Sequence, residues 1–163
     1  MTISAQRAYD TPTSTGTIDI KIKILPHGEG LPLPRYATDL AAGCDVTAAI
    51  DTPIVMQPGD IAVIPTALCV ALPRGYELQV RARSGLAAKN GIGLVNGIGT
   101  IDADYRGEIK VIMINHGRDP FTVERGMRVA QFVIGTYTTV NWALVDELDD
   151  TARGTGGLGS TGK

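Results

Sequence analysis

The chain has 163 residues, 44% of them hydrophobic and 20% charged, with a formal net charge of −2. That length holds one domain with a sizeable core, and that charge excludes a global basic field for gripping nucleic acid. The two cysteines, Cys44 and Cys69, are too few for a disulfide framework, and their apolar neighbours predict buried reduced thiols.

Residues 1–16 are rich in Thr, Ser and Pro and have no period, which predicts a mobile arm. The first ten lack the apolar centre of a signal peptide, and no apolar run reaches membrane-spanning length. The expectation is a soluble cytoplasmic protein with no membrane partner. Ile18 to Leu25 alternates, with Ile18, Ile20, Ile22 and Ile24 on one face, which predicts a half-buried strand. A Pro/Gly loop follows from His27 to Pro34. Ala42 to Ala49 reads as a short strand carrying Asp45, and Ile54 to Met56 as another, closed by the turn Pro58-Gly59-Asp60. Ile61 to Leu72 is long and apolar, but Pro65 demands an edge strand, a bulge or two strands meeting at a corner. Tyr76, Leu78 and Val80 alternate with Glu77, Gln79 and Arg81.

Ser84 is a good N-cap, Leu86 to Lys89 are helix formers and Asn90-Gly91 is a stop, so one short helix is expected. Asn96-Gly97, set between β-type residues, predicts a tight hairpin with φ > 0 at both central positions. Asp102, Asp104, Tyr105 and Arg106 follow at once. Ile109, Val111 and Met113 then alternate, and Phe121–Val123, Arg128–Thr136 and Val140–Val145 supply further strands. Many short strands between Gly/Pro turns, with almost no helix, predict an all-β jelly roll or β-sandwich-like barrel spanning residues 17–148. Residues 149–163 carry too little apolar surface to fold alone and read as a flexible glycine-rich arm.

Arginine outnumbers lysine ten to five, a tilt toward fork-shaped recognition of phosphate or carboxylate. Arg81, Arg83, Arg106, Arg128 and Arg153 lie in or beside the distinctive segments and are either solvated surface charges or a polyanion clamp. Arg83-Ser84-Gly85 at the mouth of a short helix suits phosphate, and equally suits plain capping. Gly157 to Lys163 fits the start of a P-loop, but no Ser/Thr or helix follows, so that match is rejected. His27 and His116 have no ligand-spaced partners, which argues against a protein-caged zinc and for a hard cation held by oxygen, mainly the substrate's. Among Asp45, Asp102 and Asp104, spacing alone does not say which would serve as a general base.

Five ordered blocks together resemble the trimeric dUTPases: A-G-C-D-V, R-A-R-S-G-L-A, N-G-I-G-T-I-D-A-D-Y-R-G-E, G-M-R-V-A-Q and R-G-T-G-G-L-G-S-T-G. The resemblance implies a homotrimer with sites shared between subunits. It implies Mg2+-assisted hydrolysis of dUTP to dUMP and pyrophosphate, which limits uracil in DNA and supplies dUMP for dTMP synthesis. It gives Asp102 the role of activating the attacking water. It assigns Asn96, Gly99, Thr100, Ile101, Tyr105 and Leu158 to uracil and deoxyribose. Arg83, Ser84, Gly85, Gln131, Arg153, Gly157, Ser160 and Thr161 are assigned to phosphates, and Asp45 to waters on Mg2+. Arg128 either touches phosphate or braces an interface, and Asp104 supports charge or structure. The 149–163 arm would close a neighbouring subunit's site. Leu158 departs from the family's aromatic ring, a loss of about 0.5–1.5 kcal/mol of stacking. Two other functions share the fold: deamination of dCTP, and regulatory binding that senses the nucleotide without hydrolysis.

Overall fold

The computed structural model describes residues 16–157. In chain order the strands are β1 (Lys21–Ile24), β2 (Arg35–Tyr36), β3 (Cys44–Thr47), β4 (Ile54–Met56), β5 (Ile61–Pro65), β6 (Leu68–Ala71) and β7 (Tyr76–Arg81). The helix α1 (Ser84–Asn90) follows, then β8 (Ile92–Leu94), β9 (Gly99–Ile101), β10 (Lys110–Asn115), β11 (Phe121–Val123) and β12 (Arg128–Thr136). The pairings are antiparallel and make four sheets: β1-β6, β5-β10-β8, β11-β4 and the five-stranded β2-β3-β12-β7-β9. This is the all-β, jelly-roll-like class expected from the turn spacing.

The alternating strands place every second residue in one core. Ile109, Val111 and Met113 are fully buried, and the cluster joins Val46, Leu78, Val80 and Phe132 of the large sheet to Ile64 and Leu94 of the three-stranded one. Pro65 ends β5, and the chain turns a corner at Thr66-Ala67 before β6, the third of the three options its position allowed. Ala67 takes φ 58°, the left-handed region that non-glycine residues rarely enter. Thr66 Oγ1 donates to Ile109 O at 2.6 Å across the corner, so the break in the ladder does not orphan that carbonyl.

Three local expectations need correction. Arg83 occupies the N-cap, Ser84 is the first helical residue, and no side chain caps the helix. Gly91 ends it at φ 69°, as the stop signal required. The four-isoleucine strand shrinks to Lys21–Ile24, and Ile22 and Ile24 are 39% and 45% exposed. Val140–Val145 forms no strand, since none among the described residues pairs with it, and Trp142 and Leu144 stand in the open. The helix is too short to cross a membrane, as is every helix among the described residues.

Asn115, at the end of β10, ties the end of β4 to the loop that leads into β11. Its Nδ2 donates to Met56 O and Asp119 O, both at 2.9 Å, and its Oδ1 accepts from Gly117 N at 2.8 Å. The side chain is wholly buried, so its loss strands three polar groups. Asn115→Ala is expected to destabilise the fold by about 2–4 kcal/mol in denaturant melts, given roughly 1–3 kcal/mol per unsatisfied buried group.

Candidate functional site

The large sheet lines up a row of polar residues. Arg35 on β2 sits opposite Asp45 on β3, Asp45 opposite Gln131 on β12, and Gln131 opposite Arg81 on β7. Residues directly opposite in antiparallel pairs share a face. Asp45 is the centre of this face. Arg83 Nε donates to its Oδ1 at 3.0 Å and Nη2 to its Oδ2 at 3.3 Å, while Arg128 Nη1 donates to Oδ2 at 3.0 Å. Arg83 Nη1 also donates to Arg128 O at 3.1 Å, which locks β12 to the start of α1. Two guanidiniums thus hold one carboxylate, with Arg35 opposite it on β2 and Arg81 two strands further along the row, and the face is left net positive. It borders a 770 Å3 hollow lined by Arg35, Tyr36, Asp45, Thr47 and Arg128 among others.

Gln131 reaches over Gly43, where a Cβ would collide with its Oε1, and donates from Nε2 to Ala82 O at 2.9 Å. Ser84 and Gly85 are exposed at the first turn of α1, and a Cβ at Gly85 would meet nothing within 4 Å. The second, fourth and first sequence blocks therefore converge on one face. Arg35 was not picked out from the sequence. Nothing local marks it, and only the β2–β3 register brings it to Asp45.

The third block behaves differently from the hairpin expected of it. β8 pairs with β10, whereas β9 pairs with β7. Asn96-Gly97 makes a turn closed by Gly97 N donating to Leu94 O at 3.0 Å, and only Gly97 of the pair has positive φ, at 68°. The chain thereby steps from the three-stranded sheet to the edge of the five-stranded one. Gly99 is buried against Val80, where a Cβ would lie 3.1 Å from the valine Cβ, so glycine lets β9 sit close on β7. The outer edge of β9, over Gly99, Thr100 and Ile101, has no strand partner among the described residues.

After β9 the chain turns sharply, with Tyr105 N donating to Asp102 O at 3.1 Å. Arg106 Nη1 donates to Ala103 O at 2.7 Å and Tyr105 O at 2.8 Å, which rigidifies the turn. The Asp102 carboxylate takes part in no ion pair among the described residues. It opens into a 590 Å3 hollow shared with Arg74, Asp104, Arg106 and Tyr137. Tyr105 is partly exposed and folds back so that a Cβ on Gly107 would lie 2.6 Å from its Cζ.

The two groups do not meet within one chain. From Asp45 to the level of Asp102 the ladder crosses three strand spacings and four residues of rise, roughly 20 Å. In the tail, Arg153 Nε donates to Gly156 O at 2.9 Å in a turn where Gly154 has φ 51°, and Gly157 is exposed. Leu158, Ser160 and Thr161 lie outside the described residues. No group of three or more His, Cys, Asp or Glu side chains among the described residues could cage a metal.

The family model described as dUTPase matches residues 29–162. The deoxyuridine 5'-triphosphate nucleotidohydrolase of Maricaulis maris (strain MCS10) is 55% identical over 148 residues, covering 90% of this chain and 97% of its own. The dUTPase of Staphylococcus bacteriophage 80alpha, solved with dUPNHPP, is similar at a TM-score of 0.80 and 26% identity, covering 90% of this chain and 100% of that one. A mutant dUTPase from phage phi11 of S. aureus, whose structure concerns coordination of a structural Mg(II) ion, matches at a TM-score of 0.71, covering 80% and 98%. At 23% identity that last likeness speaks for the fold alone.

Beside Asp45, burial raises the Cys44 thiol above its ordinary value, and the charge Cys44 would carry on ionising raises the Tyr36 hydroxyl above its own. The folded chain therefore holds both protons more tightly than the unfolded chain. The stability this contributes is complete below pH 9.0 and is lost as pH rises through the raised folded values. Thermal melts across alkaline buffers are expected to show this loss, and Cys44→Ala is expected to flatten it.

Proposed function

The chain belongs to the dUTPase family, and from that premise we propose that it hydrolyses dUTP to dUMP and pyrophosphate. The observation that carries the proposal is the unpaired edge of β9, followed directly by an unpaired carboxylate at Asp102. A strand edge presents fixed N–H and C=O groups. Uracil offers the complementary edge, one N3–H donor and two carbonyl acceptors. Cytosine offers an amine and a bare N3, so the same edge would leave buried groups unpaired and reject it by roughly 10⁴-fold. The backbone from Asn96 to Ile101 reads the base, and its close turn excludes the methyl of thymine. Tyr105 lies under the deoxyribose and leaves no room for a 2′-hydroxyl.

Asp102 accepts the proton of a water and aligns that water with the α-phosphorus, which expels pyrophosphate. The positive face around Asp45, with Arg83, Ser84, Gly85, Gln131 and Arg128, receives the phosphates. Arg35 and Arg81 extend that charge along the same row. Because this face lies roughly 20 Å from Asp102 along the sheet, beyond the reach of one nucleotide, each site takes its parts from different copies of the chain. A homotrimer meets that need, with the 149–163 arm of a further copy supplying Leu158, Arg153, Gly157, Ser160 and Thr161.

The residues fit Mg2+ only as an ion that arrives on the phosphates. Both Asp45 oxygens already accept guanidinium bonds, so Asp45 would hold the ion only through its waters. When bound, Mg2+ offsets phosphate charge and makes pyrophosphate a better leaving group. Deamination of dCTP is the weaker alternative. The one glutamate in the loop, Glu108, turns inward onto Ala67 N and His27, so it is not placed to act as a base on a pyrimidine.

Two measurements test the proposal. In a panel of deoxynucleoside triphosphates with Mg2+, dUTP alone is expected to release pyrophosphate at an appreciable rate. Ammonia from dCTP instead would establish the rival chemistry. Asp102→Asn is expected to lower kcat by about 10²–10⁴-fold while dUTP still binds. A variant that binds dUTP and turns over at the native rate would remove Asp102 from the mechanism, whereas a native protein that binds without turnover would favour the nucleotide-sensing role.

A further inference from the structure

The loop that carries Asp102 and Tyr105 is fastened at its far end by a contact outside the site. Glu108 Oε1 accepts from the main-chain N of Ala67 at 2.8 Å and meets His27 Nε2 at 2.8 Å. Its side chain is 14% exposed, and that of His27 35%. The Ala67 amide points at the carboxylate because the corner between β5 and β6 forces that residue to φ 58°. The corner is held from three sides. Leu25 N donates to Ala67 O at 2.8 Å, Ile109 N donates to Leu68 O at 2.8 Å, and Gly28 packs so close that a Cβ there would lie 2.5 Å from the Ala67 Cβ. Glu108 is thus anchored to a rigid point by both a strained backbone amide and an imidazole.

The other end of Glu108 faces Tyr105. The Tyr105 hydroxyl donates to Glu108 O at 3.0 Å, and the ring folds over Gly107. The height and tilt of that ring therefore depend on where Glu108 is held. We propose that the His27–Glu108 pair, seated on the Ala67 corner, is a positioning device for Tyr105 and sets how strongly the site distinguishes 2′-deoxy from 2′-hydroxy nucleotides. This rests on the dUTP-hydrolase proposal, in which Tyr105 lies under the sugar. Neither residue touches the substrate. The pair acts only through the tyrosine, much as a small misplacement far from the chemistry weakens a site that depends on orientation.

The test compares the native protein with Glu108→Ala, Glu108→Gln and His27→Ala, each checked by thermal melting. KM and kcat are measured for dUTP, and UTP is tested as a competitive inhibitor. The native protein is expected to prefer dUTP strongly. In Glu108→Ala the ratio of the UTP inhibition constant to the dUTP KM is expected to fall on the order of tenfold, with kcat changing less. His27→Ala, at a more open position, moves the ratio the same way to a smaller extent and serves if Glu108→Ala does not fold. Glu108→Gln keeps a carbonyl oxygen for the Ala67 amide and is expected to retain most of the selectivity. An unchanged ratio in His27→Ala and in any folded Glu108→Ala overturns the proposal, even where both melt earlier, because a purely structural contact lowers stability without altering sugar selectivity. A native protein inert toward dUTP overturns the hydrolase assignment and this role with it. An active native protein whose variants keep the ratio overturns this role alone.

Discussion

The decisive constraint is that two successive strands, β8 and β9, do not pair with each other. β8 completes the sheet with β10, and β9 completes the sheet with β7. A ladder between them would have consumed the polar groups of both inner edges. Their separation leaves the outer edge of β9 free, and main-chain groups on an edge strand are held rigidly by the sheet behind them. Such groups cannot rotate to suit a different base, as a side-chain amide can. The selectivity proposed for the site is therefore a property of sheet connectivity. Gly99 belongs to the same device, because its missing Cβ lets β9 press onto Val80 and fixes the edge in place.

The positive face shows a second use of sheet register. Arg35 and Asp45 come from consecutive strands, Arg81 and Gln131 from strands far along the chain, and the ladder makes them neighbours. Asp45 is no defect in this arrangement. Its carboxylate draws Arg83 and Arg128 together at hydrogen-bond distance and keeps two like charges from splaying apart. Bonds of this kind between ionised groups are both stronger and more directional than neutral ones. The guanidiniums are held in place before any ligand arrives, and the face carries less net charge than its arginines would give alone.

Much of this was legible in the sequence where the signal is local. The alternation of Ile109, Val111 and Met113 marks a buried face, and all three have no exposure. Gly91 acts as a stop because it can take φ 69°, and Pro65 as a corner because its φ is fixed and it lacks an N–H. The five blocks singled out Asp45, Arg83 and Gln131, which the structure brings to one face. Illegible were the features that depend on pairing. Asn96-Gly97 has the composition of a hairpin turn, but composition does not say whether the flanking strands have better partners elsewhere. Arg35 and His27 carry no local mark, since each gains its neighbour from residues 10 and 81 positions away.

The same limit explains the strands that failed to bury. Ile22 and Ile24 alternate as cleanly as Val111 and Met113, yet remain 39% and 45% exposed. Val140, Trp142, Leu144 and Leu148 form an apolar stretch in the open, with Trp142 93% exposed. Alternation records that a face is meant to be covered, without recording what covers it. Exposed apolar surface on this scale is unfavourable for an isolated soluble chain. Asp102, the proposed base, meanwhile lies roughly 20 Å from the arginine face along the sheet. Both discrepancies vanish together if further copies of the chain supply the missing cover and the missing half of the site. The open apolar stretch thus supports the shared sites proposed above on a ground separate from the chemistry of the site.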